Sequence, residues 1–128
     1  MTIDPSSPVP IFQQIADIIR RSVAAGVYRP GEMIPSLRAL ALKLKVNPNT
    51  VQRSYEQLER EGLVRVRKGL GMFVTQRGAK SARTNSQEAV RRVFAQGIQA
   101  ALAAGMSSTD IRAAFSQALK EMGTRVRT

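Results

Sequence analysis

The chain has no cysteine and no histidine, and aromatic residues make up only 5% of its 128 positions. Without cysteine there is no disulfide framework and no thiolate metal site. Without histidine as well, the usual zinc sites and the Ser-His or Cys-His nucleophile pairs are out of reach. No catalytic residue, metal or cofactor is therefore expected, and the phosphate-cradling P-loop pattern is absent too. Acids are also scarce, with 9 Asp plus Glu against 20 Lys plus Arg. The acids that do cluster, Glu56, Glu59 and Glu61, read as charges on the back of a helix, with Glu56 spaced to pair with Arg60. There is no apolar run long enough for a membrane span, and no basic start leading into one. A cytoplasmic protein with no membrane partner is the expectation.

What is present is a surplus of positive charge, +11 overall, beside a hydrophobic content of 43% that can build a core. Such an excess favours a polyanionic partner. The length suits one domain, or one small domain with an appendage. Residues 1 to 10, with Pro5, Pro8 and Pro10 around Ser6 and Ser7, read as an extended arm. From Ile11 to Ala25 a helical stripe of Ile11, Ile15, Ile18, Ile19 and Val23 runs up to a stop at Gly26. Val27 to Pro35 turns at Pro30-Gly31. Ser36 can cap a second helix whose Leu37, Leu40, Ala41 and Leu44 share a face.

Only Lys45 and Val46 separate that helix from the next. Asn47 can cap the third helix, and Pro48 fits its first turn, where a missing N–H costs nothing. Val51, Tyr55 and Leu58 form its inner stripe, so Asn49, Gln52, Arg53 and Glu56 face outward. Two helices joined this tightly, the second with a polar front, make a helix-turn-helix. Val64, Val66, Phe73 and Val74 then favour strands on either side of Lys68-Gly69-Leu70-Gly71, a small hairpin wing with a basic, glycine-rich tip.

The stretch from Gln76 to Asn85, poor in apolar residues, reads as a solvated linker, with Asn85 to Glu88 as a capping box for the helix beyond it. Val90, Phe94, Ile98 and Leu102 keep helical spacing as far as Gly105. Ser107 to Asp110 forms a second capping box, with Met106 and Ile111 as its staple, before the stripe of Ile111, Phe115, Ala118 and Leu119 that stops at Gly123. Two short amphipathic helices cannot bury their stripes against each other alone, so a second copy of the chain is the simplest cover. The expected architecture is mainly α with a small β-wing. A winged helix-turn-helix occupies residues 1–77, a linker 78–85, and a helical hairpin used for dimerisation 86–123.

The motifs Val9-Pro10-Ile11-Phe12-Gln13-Gln14-Ile15, Gly26 to Arg38 and Asn47-Pro48-Asn49-Thr50-Val51, in that order and spacing, resemble the GntR-type winged-helix transcription regulators. The length and two-helix pattern of the tail resemble those of the YtrA-like subfamily. The resemblance implies sequence-specific binding of double-stranded DNA by a homodimer, usually to repress transcription. It also implies that Arg38, at the start of helix two, Thr50, at the front of the recognition helix, and Gly69, at the wing tip, meet DNA. The chain departs from other branches of the family at Pro48 and Gln52, where DNA-contacting arginines are common. It has Lys45 where the tight turn usually has glycine, which puts a side chain at positive φ, and Ala39 in place of a common acid.

From residue chemistry, Asn49, Gln52 and Arg53 are able to read base edges, since amides pair with adenine and arginine with guanine. Asn47 stands beside them. Arg65, Arg67 and Lys68 give the wing its charge. Tyr55, Phe94 and Phe115 lie within apolar stripes and read as core or interface. The dimer seam is assigned to Phe94, Ile98, Leu102, Ile111, Phe115 and Leu119, and the operator is expected to be an inverted repeat. The competing reading is a winged helix that binds RNA or protein. The effector is unknown.

Overall fold

The computed structural model describes residues 2–123. In chain order it contains α1 (Ile11–Ala24), α2 (Leu37–Leu44), α3 (Pro48–Arg60), β1 (Val64–Arg67), β2 (Gly71–Val74), α4 (Gln76–Ala103) and α5 (Ser108–Glu121). The chain divides into two compact units, Met1–Gln87 and Glu88–Thr128.

In the first unit the stripes read from the sequence become one core. Ile15, Ile19 and Val23 of α1, Leu40 of α2, Val51 and Leu58 of α3, and Val64 and Val74 of the hairpin are all at most 1% exposed. Each such side chain contributes about 1.5 to 3 kcal/mol by leaving water. The hairpin is antiparallel, with Val64 opposite Val74 and Arg67 opposite Gly71. The chain before α2 lies alongside it. Gly31 N–H donates to Val74 O at 2.8 Å, Val74 N–H to Glu32 O at 2.9 Å, and Ile34 N–H to Met72 O at 3.0 Å.

The helix ends follow local chemistry. Ser36 Oγ accepts from Ala39 N–H at 3.1 Å, so α2 is capped even without a reciprocal acid at position 39. Its C-cap, Lys45, sits at φ 57°, ψ 46°. That left-handed conformation costs a residue with a Cβ about 1 to 2 kcal/mol. Asn47 Oδ1 accepts from Asn49 N–H at 2.8 Å, with Pro48 in the first turn of α3. Residues 2–10 are bent and pinned, unlike the extended arm expected from their prolines. Gln14 accepts from Asp4 N–H at 2.8 Å, and its Nε2 donates to the carbonyls of Asp4 and Val9 at 2.9 Å each.

Residues 78–85 are not a solvated linker, because one helix runs unbroken from Gln76 to Ala103. Asn85 to Glu88 therefore lie inside a helix and have no end to cap. The start is fixed further back. Thr75 Oγ1 accepts from Gly78 N–H at 2.9 Å and donates to Gly62 O at 2.6 Å. Gly78 and Ala79 are buried there, and a Cβ on Gly78 would lie 2.5 Å from Leu63 Cα. The charged residues Arg77, Lys80 and Arg83 are exposed on this helix, where straight-chain side chains lose little entropy. A shortage of apolar residues thus marks a solvent-facing helix.

Glu56 does not pair with Arg60. It accepts instead from Gln52 Nε2 at 3.2 Å. Of the three clustered acids it is Glu61 that forms an ion pair among the described residues, taking two hydrogen bonds from Arg20 of α1, 2.9 Å from Nε and 2.6 Å from Nη2, while Asp17 pairs with the same guanidinium. The hydrogen bonds donated by Arg20 hold the Glu61 carboxyl below its usual range, and the same bonds raise the guanidinium in return.

The second unit holds the rest of α4 and all of α5. Gly105, at φ 84°, turns the chain. Ser107 and Asp110 then form the reciprocal capping box expected for α5, at 3.1 and 3.0 Å. Phe94 and Phe115 meet edge to face, ring centroids 5.8 Å apart. No residue of α5 is buried.

Candidate nucleic-acid interface

Three elements of the first unit carry the residues expected to meet DNA. Arg38, two residues past the Ser36 cap, is exposed in the first turn of α2. On α3, Asn47, Asn49, Gln52 and Arg53 are exposed and Thr50 is half-buried, while Val51, Ser54, Tyr55 and Leu58 face inward. The wing exposes Arg65, Arg67 and Lys68, with Gly69 at φ 79° at its tip and Leu70 68% exposed beside it.

These side chains are grouped. Asn47, Asn49, Thr50 and Arg53 line a recess of about 400 Å³ together with Ile11 and Phe12 of α1. Gln52 and Glu56 instead line a groove of about 630 Å³ that runs past the start of α2 to Leu70 and Met72 of the hairpin. The outward face of α3 therefore has two sides, one turned to α1 and one to the wing. Tyr55 lines the wing-side groove, its hydroxyl donating to Pro35 O at 2.8 Å. Burial pushes that hydroxyl well above its ordinary pKa, so it remains a protonated donor.

The guanidinium carbon of Arg53 lies 3.8 Å from the centroid of the Phe12 ring, and that of Arg67 lies 4.6 Å from the ring of Phe73. Cation–π contacts of this kind were not foreseen from the sequence. The available signal was that Phe12 stands three, four and seven residues before Ile15, Ala16 and Ile19, and so continues the inward face of α1 toward its first turn. Backbone pairing of residues 31–34 with β2 was also missed, because that segment has no alternating pattern.

Residues 11–74 match the family described as bacterial regulatory proteins, gntR family. The chain belongs to that family. Among relatives, the HTH-type transcriptional repressor YtrA of Bacillus subtilis (strain 168) is 39% identical over 74 residues, covering 58% of this chain and 57% of that protein. The chain thus spans little more than half the length of this curated relative. Among solved structures, a transcriptional regulator from Oenococcus oeni aligns over 91% of this chain and 97% of its own with TM-score 0.71 and 29% identity. The DNA-binding domain of AraR, solved in complex with operator ORX1, aligns over 59% of this chain and 93% of its own with TM-score 0.54 and 25% identity. The matched region contains α1 to α3 and the hairpin, the winged helix-turn-helix expected from the sequence. Among the described residues no helix is long and apolar enough to cross a membrane.

Proposed function

We propose that this GntR-family chain is a transcriptional regulator without enzymatic activity, a repressor that binds an inverted-repeat operator as a homodimer. The observation that carries this reading is the front of α3. Asn49, Gln52 and Arg53 stand in solvent while Val51, Ser54 and Tyr55 of the same helix are locked into the core, and an exposed basic wing follows at once. Amide and guanidinium groups on a rigid helix suit base edges in a major groove, and the wing's lysine and arginines suit phosphates. Arg38 adds a charge at a helix N-terminus, which itself favours phosphate.

Two copies read two half-sites about one helical turn apart. The tail supports pairing of copies, since Phe94, Ile98, Leu102, Phe115 and Leu119 are 47 to 57% exposed along α4 and α5. An apolar groove of about 760 Å³ lies between these helices and includes Phe94, Ile98, Ile111 and Phe115. Patches of this kind on a soluble chain mark association surfaces.

The test is to select bound fragments from random DNA with the purified chain, then titrate the selected site with structured RNA as competitor. Affinity should fall on the order of a thousandfold between about 50 and 200 mM salt for a dimer making roughly 6 to 10 phosphate contacts. Asn49→Ala or Gln52→Ala should lose about 1 to 3 kcal/mol at particular base pairs. Lys68→Ala should weaken all sequences alike. Preferential binding of the RNA, or a flat salt dependence, would defeat the proposal.

A further inference from the structure

We propose that Phe12 is a positioning residue for Arg53, holding its guanidinium over the ring on the α1 side of the recognition helix so that its donors meet one base edge. This rests on the DNA-reading role given to α3 above. Phe12 is half-buried but is not among the residues packed against the core, although its neighbour Ile11 is. The ring continues the inward face of α1 one turn before Ile15 and Ala16, where the core has given out. Its position is set through the backbone. Ser54, with no exposed surface, has its Oγ 2.7 Å from Phe12 O and 3.0 Å from Thr50 O, and donates its one proton between them. Ser54 follows Arg53 directly in α3, so the link that fixes α1 against α3 also puts the Phe12 ring under the Arg53 guanidinium, at 3.8 Å.

The ring face satisfies the cation without using its N–H groups. Arg53 belongs to no ion pair among the described residues, where both salt bridges involve Arg20. Its fork stays available beside Asn49 and Thr50 in the shared recess. An unstacked arginine must give up rotamer freedom when it binds, and it can follow any nearby phosphate. A stacked one has already lost that freedom and presents a fixed plane, which is what bidentate pairing with guanine needs.

The experiment uses the full chain and the operator obtained by fragment selection, with every single-base variant of one half-site as competitor. Arg53→Ala should relax discrimination at one base-pair position. Phe12→Leu should relax it at that same position by roughly two- to fivefold, the range expected of an exposed cation–π contact. Non-specific affinity and the melting temperature should stay as in the parent. Phe12→Tyr, which keeps the ring, should retain the parent discrimination, and Phe12→Met provides a second ring-free variant should the leucine variant fold poorly. By NMR, the ring-current shift of the Arg53 side-chain protons should vanish in both ring-free variants and persist with tyrosine. Ring-free variants that match the parent at every base, or that weaken all sequences equally, would overturn the positioning role while leaving the DNA-reading role intact. A parent chain without sequence preference would overturn both.

Discussion

The unit ending at Gln87 buries the centres of its helical stripes, with Ile15, Ile19, Val51 and Leu58 all at 0% exposure, whereas the unit beginning at Glu88 leaves Phe94, Ile98, Phe115 and Leu119 about half in water. Both stripes have the same periodicity in the sequence. The difference lies in what covers them. In the first unit, cover comes from distant parts of the same chain, as when Ser54 reaches Phe12 across 42 residues. In the second, two helices joined at Gly105 bring Phe94 against Phe115 and half-bury Ala101, Met106 and Ile111, but leave Ile98, Leu102 and Leu119 about half in water. Periodicity shows that a face wants cover and is silent about its source. Phenylalanine makes the same point, because none of the chain's 4 is buried. Two lie under arginines and two face each other in the tail.

The contrast is broken most severely in the first unit. Leu58→Ala should cost about 2 to 5 kcal/mol by leaving a cavity, whereas Leu119→Ala should cost well under half of that in a dilute monomer. Urea titrations of both variants measure the difference, and equal losses would mean that the tail has a closed core of its own. Next in size is Phe115→Asp, which places an unpaired charge in the proposed seam at a cost on the order of 3 kcal/mol. Sedimentation should then give a monomer whose winged helix still melts cooperatively. An intact dimer would remove the tail from the interface.

Gly78→Ala addresses the join between α4 and the winged helix. Its Cβ would meet Leu63 Cα at 2.5 Å and Gly62 O at 2.7 Å, both backbone atoms. A loss of about 1 to 3 kcal/mol is expected, as for overpacking, although alanine is the better helix former. Stabilisation would show that this packing yields easily. The smallest effect is electrostatic. Arg20 keeps the Glu61 carboxyl below its ordinary value of 4.5, so the folded chain binds that proton less readily than the unfolded one. The contribution is complete above the ordinary carboxylate range and is lost as pH falls through the lowered value. Asp110 is lowered in the same direction by the Ser107 backbone N–H, but that bond holds only its own helix end. Acid should therefore loosen α1 from the end of α3 and merely fray α5. Glu61→Gln should flatten the acid limb of the urea midpoint, and with no histidine in the chain the midpoint should be level between about pH 6 and 8.

Most of the first unit was legible because its signals are local. Ser36 and Asn47 cap the helices expected of them, Lys45 takes the positive φ expected from its place in the turn, and the hairpin closes on Lys68 to Leu70. The misreadings arose where distant residues decide. Residues 78–85 are read as a linker until Leu63 is seen against Gly78, and Glu56 is assigned to Arg60 by helical spacing until Gln52 takes it. The candidate site was legible as a list of residues on α2, α3 and the wing, without their grouping. Nothing in the spacing tells that Arg53 faces α1 while Gln52 faces the wing, because that depends on how α1 crosses α3.

Lys45 carries a consequence for how readily this chain could be improved or spoiled. Only it and Val46 separate α2 from the cap of α3, and it holds a conformation that glycine adopts at no cost. Lys45→Gly should therefore raise stability by up to about 1 kcal/mol, seen as a higher urea midpoint, while removing one exposed positive charge just ahead of the recognition helix. A variant library sorted for thermal tolerance should enrich that glycine, and one sorted for operator occupancy at high salt should keep the lysine. Robustness and grip pull this single position in opposite directions.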